Sequence, residues 1–137
     1  MVENRIGIVL VTHGELGHAM VETSSLIIGD LKNVTSVSVR ASDAVEEVRD
    51  LIERAIDRVR GSEGTILLVD MFGGTPSNIS LSFLADEGIE VVTGVNLPML
   101  TKLATLDPNL KLAQAAGVLR DYGKEHIKVA ADYLSEK

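Results

Sequence analysis

Four short aliphatic runs, each followed by an amphipathic or turn-rich stretch, decide what this chain can become. The runs are Ile6 to Thr12, Val34 to Val39, Thr65 to Val69 and Ile89 to Thr93. Strand-like segments alternating with helical patterns are the signature of βαβ units and a parallel sheet. Near-continuous Val, Ile and Leu in the first and third runs imply strands covered on both faces. The chain is 45% apolar but only 3% aromatic, so its core must be built from Val, Ile, Leu, Ala and Met. A length of 137 residues predicts a single domain over 1–137, burying roughly two-thirds of its unfolded surface.

The intervening stretches read as helices. Leu16 to Ile28 carries Leu16, Ala19, Met20, Thr23 and Ile27 at helical spacing, with Gly29 placed to end it. Asp43-Ala44-Val45-Glu46 reads as a capping box that opens a second helix. That helix has Val45, Val48, Ile52, Ala55, Ile56 and Val59 on one stripe, an Asp50–Arg54 pair on its wet face and Gly61 after its end. Pro76 suits the first turn of a third helix, with Thr75 as its cap, and Ile79 to Ala85 continues it. Beyond Pro108 a further helix is predicted from about Leu110 to Leu119, weakened locally by Gly117 and Gly123. The tail from Ile127 to Leu134 fits either a helix or, at Ile127 to Ala130, a short edge strand. The expected fold is therefore α/β: an open, mainly parallel sheet in the order 2-1-3-4, with helices on both faces.

Several classes of function fall away. A formal net charge of -7 without a basic run argues against nucleic acid as a partner. The absence of cysteine removes disulfides, thiolate metal sites and Cys nucleophiles. Ile6 to Val11 is too short for a signal peptide and follows Glu3, and no stretch approaches the about 20 apolar residues of a membrane span. The cytoplasm is the expected compartment. P-loop, dinucleotide-binding and nucleophile-elbow motifs are all missing.

Ligands of open parallel sheets bind beyond the carboxyl ends of the strands, where strand order reverses. In a 2-1-3-4 sheet the first and third strands are neighbours, and their ends carry His13 and Asp70. These two residues are expected to face one crevice. A carboxylate that accepts a hydrogen bond from one imidazole nitrogen fixes the tautomer and leaves the other nitrogen as a nucleophile. It also stabilises the positive charge that builds on the ring during attack. Gly73-Gly74 can turn tightly and bring N–H groups close to an anion, and the helix starting near Pro76 points its positive end at the same place. Thr75 and Ser77 add hydroxyls, while Gly14 leaves room and offers another N–H. A phosphoryl group on His13 would meet neutral donors, with no metal and no cofactor required.

Singly, each feature has a plainer reading. His13 reads as a structural side chain, Asp70 as a turn residue, Gly-Gly-Thr-Pro as an ordinary strand-to-helix turn and Asn96-Leu97-Pro98 as a plain loop. Their convergence is what points to chemistry. His18 is expected on the exposed side of the first helix and His126 in solvent, and His13 and His18 lack the i,i+4 spacing of a helical zinc site. A Ser77–His13–Asp70 hydrolase is disfavoured, because Ser77 falls in a first helical turn rather than on a strained elbow.

Val11-Thr12-His13-Gly14, Asp70-Met71-Phe72-Gly73-Gly74-Thr75-Pro76-Ser77-Asn78 and Gly94-Val95-Asn96-Leu97-Pro98-Met99-Leu100 together resemble three signatures of a known family. It is the mannose-family enzyme IIA of the bacterial phosphoenolpyruvate-dependent sugar phosphotransferase system. Gly123-Lys124-Glu125 followed by Ile127-Lys128-Val129 resembles that family's C-terminal end, so the match runs nearly the whole chain in order. The resemblance implies that His13 accepts phosphate from the phosphohistidine of the carrier HPr and donates it to a histidine of enzyme IIB. Asp70 would hydrogen-bond the ring of His13. Gly14, Phe72, Gly73, Gly74, Thr75 and Ser77 would line the phosphate pocket, and Asn96, Leu97 and Pro98 would border it. Family members are homodimers, and some exchange a C-terminal strand, which favours Ile127 to Ala130 as an antiparallel edge strand. With the sequence ending at Lys137, IIB is expected as a separate chain, through which the membrane components IIC and IID are reached. Two neighbouring readings stand beside this one: a regulatory phosphoacceptor that moves no sugar, and the phosphocarrier subunit of dihydroxyacetone kinase. The latter shares the fold but differs in the motif after the third strand.

Overall fold

The computed structural model describes residues 5–135. Strands β1 (Ile6–His13), β2 (Val34–Val39), β3 (Gly64–Val69) and β4 (Ile89–Thr93) form one sheet in the order β2-β1-β3-β4. All three pairings are parallel, so the expected strand order and direction are both observed. Helices α1 (Leu16–Ile28), α2 (Val45–Val59), α3 (Thr75–Leu81), α4 (Leu97–Lys102), α5 (Leu112–Glu125) and α6 (Ala130–Ser135) connect and follow the strands, with 3-10 turns at Ser82–Ala85 and Leu103–Thr105.

The continuous apolar strands have two cores to fill. Val9, Val11, Val37, Val39, Leu67 and Val69 pack against Val48, Ile52, Ile56 and Val59 of α2 and against Ile79 and Phe83. Ile8, Leu10, Ile66, Leu68 and Val92 face the other way, onto Met99, Leu100, Ala115, Ala116 and Leu119, with Met20 and Val21 of α1 alongside. Side chains alternate across a strand, so each strand feeds both layers. Each fully buried Leu, Ile or Val contributes roughly 1.5–3 kcal/mol relative to exposure.

Local details differ from the sequence reading in ways that have physical causes. In α1 the sheet-facing residues are Gly17, Met20, Val21 and Ser24, while Leu16 and Ile27 of the predicted stripe point outward. Gly17 sits there because its N–H donates to Thr12 Oγ1 at 2.7 Å and its missing side chain lets the helix lie on β1. The Asp43 capping box does not form. Asp43 Oδ2 accepts the Arg40 N–H at 2.8 Å, closing a turn, and Ala44 occupies the N-cap. Val45 is exposed, whereas the rest of the α2 stripe is buried and the Asp50–Arg54 pair is present. Gly74, not Thr75, is the N-cap of α3. Helix α5 runs to Glu125 through both glycines, since Gly123 packs closely against Asn96 and Met99. Residues 127–130 form no strand in this chain. The segment leads into α6, which buries none of its residues.

Candidate functional site

The register of the sheet brings the chemistry together. Val11 pairs with Val69 and His13 with Val39, so the ends of three strands meet at one place. Asp70, the first residue after β3, is only 10% exposed at its side chain, and His13, the last of β1, is 51% exposed. Asp70 Oδ2 lies 2.8 Å from His13 Nδ1 and accepts the His13 backbone N–H at 2.9 Å. Its Oδ1 accepts the Met71 N–H at 2.9 Å. Burial pushes the Asp70 carboxyl upward, but the hydrogen bonds from the His13 backbone and ring, electrostatic attraction to that ring and the Met71 N–H outweigh it. The net effect holds the carboxyl below its ordinary range. An ionised carboxylate only accepts, so Nδ1 carries the proton of the neutral ring and the lone pair stands on Nε2.

Gly74 lies against that ring. A Cβ built on it would stand 2.9 Å from His13 Cε1 and 3.2 Å from Nε2. Only glycine leaves the imidazole this position. Gly73 has φ 96°, which lets the chain turn from β3 into α3. Thr75 and Phe72 are exposed beside this turn, Phe72 at 72%. The first N–H groups of α3 have no partner within the helix.

Three predicted residues are placed differently from expectation. The Gly14 N–H is not free, because it donates to the Val39 carbonyl at 2.9 Å. Ser77 is wholly buried, and its hydroxyl has no hydrogen-bond partner among the described residues. No substrate can reach it from solvent, which removes the hydrolase reading. Asn96 turns its side chain inward: Oδ1 accepts the Met99 N–H at 3.0 Å, capping α4, and Nδ2 donates to the Gly123 carbonyl at 3.0 Å. Leu97 and Pro98 begin α4, half-buried. The loop before them is fixed on β3, because Gly94 and Val95 both donate to the Val69 carbonyl, at 2.8 and 3.0 Å. The sequence does not show this junction, because Asn before Leu-Pro is a helix-start signal as readily as a loop.

The other histidines lie apart. His18 is exposed and pairs with Glu22 at 2.6 Å on α1, and His126 Nδ1 lies 2.8 Å from the Tyr122 carbonyl at the end of α5. Among the described residues there is no His, Asp, Glu and Cys grouping fit to hold a metal. A cavity of about 500 Å³ opens at the opposite end of the sheet, among Ile6, Ile8, Ile28, Lys32, Leu103 and Leu106. His13 itself stands at the surface, where a large partner can reach it.

Residues 7–117 match the model of the EIIA-man family, the PTS system fructose IIA component. The chain belongs to this family. Membership in EIIA-man gives it a phosphoryl-carrier role in a sugar phosphotransferase system. The PTS system fructose-specific EIIA component of Bacillus subtilis is 27% identical over 132 residues, covering 96% of this chain and 90% of that protein. The PTS system sorbose-specific EIIA component of Lacticaseibacillus casei is 29% identical over 131 residues, covering 95% and 91%. The crystal structure of the phosphotransferase system component EIIA from Streptococcus agalactiae superposes with a TM-score of 0.83 at 24% identity, over 93% of this chain and 98% of that one. That likeness shows the EIIA fold. No helix among the described residues is long and apolar enough to cross a membrane.

Proposed function

We propose that this EIIA-man protein carries its phosphoryl group on Nε2 of His13, taking it from phosphorylated HPr and passing it to a histidine of enzyme IIB. The observation that carries the reading is the Asp70 carboxylate on His13 Nδ1 at 2.8 Å, which leaves Nε2 as the free lone pair. In each step the P–N bond to the donor ring breaks as the new N–P bond forms, and the electron pair returns to the donor imidazole. Asp70 stabilises the charge that His13 gains on accepting the group. Catalysis is then a matter of positioning and charge. Gly73, Gly74 and Thr75 supply the neutral surroundings of the phosphoryl oxygens. Phe72, exposed beside them, and Leu97 and Pro98 at the start of α4 shape the approach, while Asn96 fixes that start by capping it.

The half-exposed ring fits transfer between proteins better than turnover of a small molecule, which would favour an enclosed pocket. In this reading the protein works in the cytoplasm as a homodimer, with IIC and IID reached through IIB. The test is incubation with enzyme I, HPr and phosphoenolpyruvate, followed by peptide mapping. Phosphate is expected on the His13 peptide and absent from a His13→Ala variant. Phosphate on another residue, or none at all, overturns the proposal.

A further inference from the structure

The four strand-to-helix connections at the carboxyl end of the sheet are residues 14–15, 40–44, 70–74 and 94–96. Within them, and within the first four residues of the helices they feed, there is one Lys or Arg, and it is Arg40. The same connections carry Glu15, Asp43 and Asp70, in a chain of net charge -7. Within these connections, Arg40 is therefore the one cation that a phosphoryl group arriving at His13 can meet.

Arg40 follows directly on the strand residue paired with His13. His13 is in register with Val39, and the Gly14 N–H donates to the Val39 carbonyl at 2.9 Å. Arg40, the first residue after β2, thus leaves the backbone one residue beyond the strand partner of His13, about 5 Å across the parallel pair. Its own N–H is fixed by Asp43 Oδ2 at 2.8 Å, so its starting point is defined. Its guanidinium is held by Glu15, with Nη2 2.9 Å from Oε1, and Ser38 Oγ lies 3.4 Å from the other oxygen of Glu15. The Arg40 and Glu15 side chains are 55% and 67% exposed. An ion pair this open contributes little, so exchanging one acceptor for another is cheap. A phosphoryl group is the stronger acceptor, with more charge and three oxygens that suit the planar fork of arginine.

We propose that Arg40, held on Glu15 in the resting protein, turns to the phosphoryl oxygens during transfer, and that Glu15 sets how readily it does so. The bond to the donor ring breaks as Nε2–P forms. Arg40 donates hydrogen bonds to the non-bridging oxygens and transfers no proton. This rests on His13 being the acceptor.

Single-turnover transfer from phosphorylated HPr, followed by rapid quenching, tests it in the wild type, Arg40→Gln, Glu15→Gln and the double variant. Arg40→Gln should slow transfer about tenfold or more, the worth of a charge-assisted hydrogen bond, with phosphate still on His13. Arg40→Lys, which keeps the charge and loses the fork, should fall between. Glu15→Gln should speed transfer when Arg40 is present and change nothing when Arg40 is Gln. Full-rate transfer by Arg40→Gln, or an equal effect of Glu15→Gln with and without Arg40, overturns this inference while leaving His13 as the carrier. A wild-type chain that takes no phosphate on His13 overturns both.

Discussion

One oxygen of Asp70 accepts twice from His13, from the backbone N–H at 2.9 Å and from ring Nδ1 at 2.8 Å. The residue that sets the tautomer therefore also anchors the end of β1. Asp70→Asn keeps the shape but replaces an acceptor-only group by one that also donates. Transfer should fall about 10²-fold or more, as expected when the carboxylate that fixes an imidazole's tautomer is lost. The far-ultraviolet circular dichroism should be unchanged. Wild-type kinetics in this variant would contradict the pairing.

The same carboxylate makes a pH prediction. Burial alone would raise its proton affinity, but its hydrogen bonds lower the native value below the ordinary one. The native state thus binds this proton less readily than the unfolded chain does. The resulting stabilisation is present above the ordinary carboxylate value of about 3.9 and is lost as pH falls through the lower native value. Urea unfolding of the wild type and Asp70→Asn between about pH 5 and pH 3 should show their stability gap shrinking with acid. A gap that widens there contradicts the assignment.

Gly74→Ala separates ring freedom from folding. Gly74 has φ -88° and ψ 175°, which any residue adopts, so the backbone tolerates the change. The new Cβ would crowd His13 Cε1 at 2.9 Å. Transfer should drop about tenfold or more through misplacement of the ring. Stability should fall by no more than about 1 kcal/mol in a thermal melt, the difference between glycine and alanine at a helix N-cap. Loss of fold without any kinetic change in the surviving protein would contradict this.

The legibility of the chain follows from which residues carry one signal and which carry two. The strands are plain because Val, Ile and Leu runs fit only a sheet covered on both faces, and strand order then brings His13 to Asp70. The rotation of α1 is not plain. That helix carries apolar residues on more than one face, with Leu16, Leu26 and Ile27 exposed and Met20 and Val21 turned to the sheet, so periodicity cannot say which side is buried. Gly14 lost its free N–H to the register of β2, and register is a tertiary property. Nor does polarity betray that Ser77 is sealed against the sheet. At the tail, the alternation of Ile127 and Val129 suggests a strand, yet 130–135 closes into a helix on its own local hydrogen bonds, such as Tyr133 N–H to the Val129 carbonyl at 3.0 Å.

Asn96 is expected to act through stability. Its side chain caps α4 and holds the Gly123 carbonyl. Asn96→Ala should cost about 1–2 kcal/mol in urea unfolding, the worth of a lost cap and a second hydrogen bond. A loss below about 0.5 kcal/mol would show that the junction with α5 is not held by this side chain.

The pairing of His13 with Asp70 is tested most directly by nitrogen-resolved NMR of the phosphorylated protein, with ¹⁵N-labelled histidine distinguishing the two ring positions. Phosphate on Nε2, with Nδ1 still protonated and bonded to Asp70, is the predicted result. Phosphate on Nδ1 would contradict it, because that nitrogen cannot hold both the carboxylate and the phosphoryl group.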